Sequence, residues 1–227
     1  MYEKNWNSFK IQGIYDNSAL SYDIYSKTMW LGLHYYFRNF IIKELSLKKG
    51  DVVLEIGCGT GLNFSRILKK IGKEGKLIGL DISKKMLEKA RKRIISHRWK
   101  NVRLIRDDFS NLENNTTEFL KDININKIIM ILVVHIIPNY EDVIIKTLDF
   151  LSNKGKIVIG DLKKMKPGKF VPKIYNKIIE ASSKKFGQDF GRVPWNFVYI
   201  LAKKKQLINC RYIEKLNTFY CVSGIKP

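Results

Sequence analysis

Five apolar runs stand at intervals along this chain: Val52 to Ile56, Lys76 to Asp81, Val102 to Phe109, Lys127 to Ile137 and Gly155 to Asp161. The first is nearly unbroken Val, Leu and Ile, without the alternation of a strand that has one wet face. It therefore reads as a strand of a parallel sheet covered by helices on both sides. Ser83 follows the second run where it can cap a helix, with Met86 one turn in. The stretch Ile128 to Ile137 is the longest apolar run, about half a membrane span, and contains His135, so Lys127 to Ile137 is read as a buried fourth strand closed by that histidine. Farther on, Phe170, Ile174 and Ile178, with Tyr175 and Ile179, share one helical face beside a stripe of Lys169, Lys173 and Lys177.

Composition adds size and charge to this picture. A chain of 227 residues, 45% hydrophobic and 12% aromatic, can fill one α/β core. Met1 to Trp6 lacks the apolar stretch of a signal peptide, which predicts a cytoplasmic protein. Cys58, Cys210 and Cys221 have no C-x-x-C spacing, so free thiols are expected and no metal site. The 42 Lys and Arg against 21 Asp and Glu leave a net charge of +21. Between Lys163 and Lys185 there are eight lysines and one acid, a segment suited to a solvated helix, an anionic membrane surface or the phosphates of RNA.

The chemistry is concentrated after the first strand. Gly57, Gly59 and Gly61 allow a sharp turn and close backbone approach to a ligand. Asp81 ends the next strand twenty residues after Gly61, where a carboxylate can accept both hydroxyls of a ribose. The spacing is G-x-G-x-G with Leu62 following, which departs from the G-x-G-x-x-G of dinucleotide binders. From Leu54 through Gly61 the sequence resembles the class I S-adenosylmethionine-dependent methyltransferases. That resemblance implies a Rossmann-like seven-stranded, mostly parallel sheet with helices on both faces and amino-terminal cap helices. It places 1–46 as the cap, 47–162 as the cofactor-binding core, and 163–227 as a substrate-side helix with carboxyl-terminal strands. It also implies S-adenosylmethionine held by Glu55 at its amino acid end, by Gly57, Gly59 and Gly61, by Asp81 with Ile82 and Met86, and by Asp107, Asp108 and Phe109 around the adenine.

Tyr22-Asp23 and Gly32-Leu33-His34 are similar to the opening of the ubiquinone and menaquinone C-methyltransferases and of phospholipid N-methyltransferases. The resemblance breaks after the fourth strand, where those quinone enzymes carry G-L-R-N and this chain has Val134 to Asn139. The expected activity is methyl transfer to a small molecule or lipid. His135 and Tyr22 are the candidate catalytic residues, His135 as base or orienting group, since an imidazole titrates near pH 6.5, and Tyr22 where the motif match lies; His34 and Asp161 are weaker candidates. Trp6, Tyr15, Tyr25, Trp30, Tyr35 and Tyr36 are further aromatic residues of the cap. The alternatives are an RNA methyltransferase, suggested by charge although the D/N/S-P-P-Y/F/W motif is missing, and a silent cofactor-fold binding protein. The expected placement is cytoplasmic, with peripheral contact to an anionic membrane as an added reading.

Overall fold

A computed structural model describes residues 7–28, 33–164, 173–177, 180–181, 189–191 and 193–227. Two helices lead, α1 (Ser8–Thr28) and α2 (Leu33–Glu44). Strand and helix then alternate as β1 (Val52–Ile56), α3 (Phe64–Ile71), β2 (Lys76–Asp81), α4 (Lys84–Ser96), β3 (Val102–Arg106), α5 (Asn114–Lys121), β4 (Ile125–Ile131), α6 (Tyr140–Phe150) and β5 (Leu151–Leu162). The chain closes with α7 (Pro194–Lys203), β6 (Ile208–Lys215) and β7 (Phe219–Ile225). Spatial order is β3-β2-β1-β4-β5-β7-β6, with β7 antiparallel to both neighbours and the other pairings parallel. This is the expected seven-stranded, mostly parallel sheet.

Alternate residues of the central strands feed two cores. Leu54, Ile56, Ile128 and Met130 pack with Val143, Ile144, Val198 and Leu201 from α6 and α7. Val53, Ile129, Ile131 and Val158 face the other way, against Phe37 and Ile41 of α2 and Ile67 and Ile71 of α3. Both faces are therefore dry, which is why these strands read as unbroken apolar runs. From β1 the chain moves to β2 on one side and later to β4 on the other, and this reversal opens a crevice at the strands' carboxyl ends.

The fourth strand is shorter than its apolar run. It ends at Ile131, paired with Gly160, and Leu132 turns away with φ +56° while its N–H donates to the Gly160 carbonyl at 2.8 Å. Val133 to Asn139 form a loop, so His135 lies beyond the strand rather than closing it. The run stays apolar because the loop lines a cavity, and hydrophobicity alone does not separate that from a strand. Likewise β3 stops at Arg106, leaving Asp107 and Asp108 in the turn and Phe109 in a short 3-10 turn. In the basic segment, residues 173–177 are helical; Tyr175 is buried and Lys173 and Lys177 are exposed, but Ile174 is 45% exposed and does not join a buried face. Lys169, Phe170, Ile178 and Ile179 of that stripe lie outside the described residues. No helix among the described residues is long and apolar enough to cross a membrane.

Candidate active site

The glycine loop leaves β1 with Gly57 at φ +68°, and a Cβ there would stand 2.3 Å from Val133 Cγ2. Gly57 is thus required both for its backbone angle and for the contact of two loops. The N–H groups of Gly57 and Cys58 donate to the Leu80 carbonyl at 2.8 and 3.1 Å, tying the loop to β2. Gly59, φ +54°, has no atom within 4 Å of where a Cβ would lie, so its backbone faces open space. Its N–H donates to Asp81 Oδ2 at 2.7 Å, and Asp81 Oδ1 accepts from the Ser83 N–H at 2.9 Å. Burial nevertheless outweighs these bonds and pushes the Asp81 carboxyl up to about 6. Ser83 caps α4 as expected, accepting from the Met86 N–H at 3.1 Å.

Against this loop lies a cavity that opens to solvent. Gly57, Gly59, Asp81, Ile82, Met86, Asp107, Asp108, Phe109 and Tyr22 all line it. Asp108 accepts from the Ser110 N–H at 2.9 Å and its hydroxyl at 2.6 Å, and so also serves as a turn former. Ser8, Ile11 and Tyr15 of α1 join Tyr22 on the wall, while Leu132, Val133, Ile136, Ile137 and Pro138 make the wall after β4 apolar. Trp6 and Trp30 lie outside the described residues, Tyr36 is exposed, and the side chain of His34 is not among those described.

Three predicted residues stand off the cavity lining. Gly61, φ +76°, packs against Phe64. Glu55 lies buried within β1, where Asn63 Nδ2 donates to its Oε1 at 2.6 Å. Burial pushes its carboxyl up to about 7, against the lowering influence of Asn63 and Arg38. His135 is buried behind the loop wall, its Nδ1 2.7 Å from Asp161 Oδ1 and its ring stacked on Phe190 at 4.8 Å. The His135 N–H also donates to Asp161 Oδ2 at 3.1 Å.

Sequence reading missed Arg38 and Asn63. Arg38 is buried on α2, lines the cavity, and donates from Nη1 to Asn63 Oδ1 at 3.1 Å. It also bonds the Tyr22 hydroxyl, whose pKa burial raises. Its signal was present: Arg38 shares a helical stripe with the buried Ile41, Ile42 and Leu45. Among the buried side chains described, Arg38 Nε and Glu55 Oε2 lack a hydrogen-bond partner. An orphaned buried polar atom costs about 1–3 kcal/mol, so a free donor and a free acceptor linked through Asn63 are the complement of a zwitterionic amino acid. The amino acid end of S-adenosylmethionine has that chemistry, and Asp81 beside the glycine loop suits its ribose. The residues fit the cofactor that the glycine loop implies.

A family model for a methyltransferase domain matches residues 47–210. The chain is 30% identical over 104 residues to the ubiquinone/menaquinone biosynthesis C-methyltransferase UbiE of Coxiella burnetii, covering 45% of this chain and 42% of that protein. It is 38% identical over 87 residues to UbiE of Neisseria meningitidis, covering 38% of this chain and 36% of that protein. The chain thus spans about two fifths of the length of the curated relatives it matches. Among solved structures, a SAM-dependent methyltransferase from Aquifex aeolicus aligns over 98% of this chain and 100% of its own, with TM-score 0.64 and 19% identity. The putative methyltransferase of Haloferax volcanii, solved with the Trm112 activator, aligns over 94% and 97% with TM-score 0.69 and 13% identity. At these identities the likeness is one of fold.

Proposed function

This chain belongs to the methyltransferase domain family, and from that premise we propose that it transfers the methyl group of S-adenosylmethionine to an apolar small-molecule or lipid acceptor. One observation carries the reading: a single cavity brings together the glycine loop, Asp81 and Arg38, and Arg38 leads through Asn63 to the buried Glu55, with one unsatisfied atom at each end of that chain. In the proposed complex Arg38 holds the carboxylate of the cofactor, Glu55 its ammonium group and Asp81 its ribose, while Ile82, Met86 and Phe109 offer apolar surface to the base. The cofactor, when bound, supplies a sulfonium-activated methyl group.

The chain's own work is then to position the acceptor and exclude water. Ile136, Ile137 and Pro138 offer an apolar wall, and α1 covers the cavity. Tyr22, with its pKa raised, stays a neutral phenol at physiological pH and acts as an orienting hydroxyl rather than a base. His135, off the lining, is proposed to act by positioning: its ring and main-chain N–H on Asp161 hold the loop that walls the acceptor side of the cavity. The similarity to UbiE makes a quinone-like ring one acceptor to try first.

The test incubates the protein with isotopically labelled S-adenosylmethionine and lipid or aqueous extracts, then follows the label by mass spectrometry. Label in a lipid-soluble or small product is expected. His135→Ala should slow transfer by about a hundredfold with cofactor affinity little changed, and Asp161→Asn should slow it through the same imidazole. Label in RNA alone would replace this reading, and unchanged rates in both variants would return His135 and Asp161 to a purely structural role.

A further inference from the structure

Helix α1 shows three different faces. Ser8, Ile11, Tyr15 and Tyr22 line the cavity. A second face runs along α4: Asp16 accepts from Ser83 Oγ at 2.6 Å and from the Lys85 N–H at 3.1 Å, Lys89 Nζ donates to the Leu20 carbonyl at 3.0 Å, and Arg93 pairs with Asp23 at 3.0 Å. The third face points outward and is apolar. Phe9 is 80% exposed, Leu20 84% and Ile24 66%; their spacings of eleven and fifteen residues are about three and four helical turns, so they form one stripe. In α4, Ile95 is 68% exposed.

The charge around this stripe is one-sided. α4 carries six basic residues and one acid, and Lys84, Lys85, Arg91 and Lys92 are exposed. Asp16 and Asp23, the acids of α1, are turned inward to Ser83, Thr60 and Arg93. Exposed aliphatic side chains flanked by lysine are the pattern of an interfacial helix, in which apolar groups enter the acyl boundary while cations meet anionic headgroups. RNA would satisfy the lysines but not Leu20, Ile24 and Ile95. We propose that the outer face of α1, with the basic face of α4, is a docking surface for an anionic lipid bilayer. The proposal does not depend on the acceptor. Its consequence is that the wall of the cavity is also the part of the molecule that touches lipid.

Cosedimentation of the full chain with vesicles of phosphatidylcholine, with or without roughly a third phosphatidylglycerol, tests it. The protein is expected to bind the anionic vesicles and to lose about tenfold in affinity when Phe9, Leu20 and Ile24 all become Ser. Lys85→Gln with Lys92→Gln should weaken binding and flatten its loss with salt, whereas Lys204→Gln with Lys205→Gln, exposed at the end of α7, should change it little. Circular dichroism and S-adenosylhomocysteine binding check that each variant is folded, and Leu20→Ser alone serves if the triple variant is not. Equal losses from both lysine pairs, no loss in the serine variants, or displacement of the protein from vesicles by RNA at equal phosphate would each overturn the proposal. None of these readouts involves methyl transfer, so failure here leaves the proposed activity untouched.

Discussion

Burial pushes up the carboxyls of both Asp81 and Glu55, and the consequences for pH run in different directions. A carboxylate that accepts ribose hydroxyls must be ionised, so with Asp81 at about 6 a proton has to leave when ligand binds below that pH. Affinity for S-adenosylhomocysteine is expected to fall by roughly tenfold per pH unit below about pH 6 and to level off above it. Asp81→Asn should bind about ten- to a hundredfold more weakly with a flatter profile. Calorimetry in two buffers of different ionisation enthalpy counts the proton, and an affinity that is level from about pH 5 to about pH 8 would contradict the ribose role. Glu55 acts on stability instead. Its folded value, about 7, lies above the ordinary 4.5, so the native state binds more protons than the unfolded chain between these values. The stability it contributes is present below the unfolded value and is lost as pH rises through about 7. Thermal melts of Glu55→Gln and wild type should therefore diverge in the variant's favour from about pH 5 to about pH 8, and a constant difference would contradict the burial argument.

At the scale of elements, α1 is held over the cavity mainly by polar bonds. Thr60 Oγ1 donates to Asp23 at 2.6 Å, and Arg93 reaches both Asp23 at 3.0 Å and the Thr60 carbonyl at 3.1 Å, so one acid ties α1 to the glycine loop and to α4. Partly exposed pairs of this kind contribute about 0–1 kcal/mol each, which keeps opening inexpensive and gives ligands a way in. Asp23→Ala is expected to raise amide exchange throughout α1 several-fold while β1 and β4 stay protected, and to speed S-adenosylhomocysteine dissociation. Hydrogen exchange with and without ligand reads both, and unchanged exchange in α1 would remove the latch. The loop after β4 is the opposite case. Asp161 receives both the imidazole and the main-chain N–H of His135, and Phe190 stacks on that ring, so this wall is built from buried contacts.

For the molecule as a whole, the cavity sits where β1, β2 and β4 end, between the sheet and α1. A ligand there binds the folded chain and not the unfolded one, so it must stabilise the native state. At about a hundredfold its dissociation constant, S-adenosylhomocysteine should add about 2.7 kcal/mol, or roughly 5–10 °C in melting temperature for a chain of this size. Differential scanning calorimetry would show it, and Asp81→Asn should lose most of the shift at the same concentration. A ligand-independent melt would contradict the cavity's assignment. The net charge of +21 acts at this scale too. Such a charge speeds encounter with any anionic surface, and in the proposed docking the apolar stripe of α1 would select lipid among such surfaces.

The sequence alone pointed to a parallel sheet, because unbroken apolar runs ending in glycine or acid suit strands dry on both faces, and the resemblance of Leu54 through Gly61 implied its seven strands. Spacing along consecutive strands likewise singled out Gly57, Gly59, Asp81, Met86 and Asp108, and the fold brings all five to one cavity. Tertiary structure decided what depends on distant partners. β4 ends at Ile131, where Leu132 turns away at φ +56° although β5 runs on to Leu162, and the apolar residues beyond it line a cavity that a one-dimensional pattern does not contain. Arg38 meets Asn63 across 25 residues, and His135 meets Asp161 across 26. Each of these side chains reads as ordinary in its own segment. The chain from Arg38 through Asn63 to Glu55 leaves one free donor and one free acceptor, and a hydrogen bond is satisfied or orphaned only once the fold has brought its partners within 3 Å or so of each other.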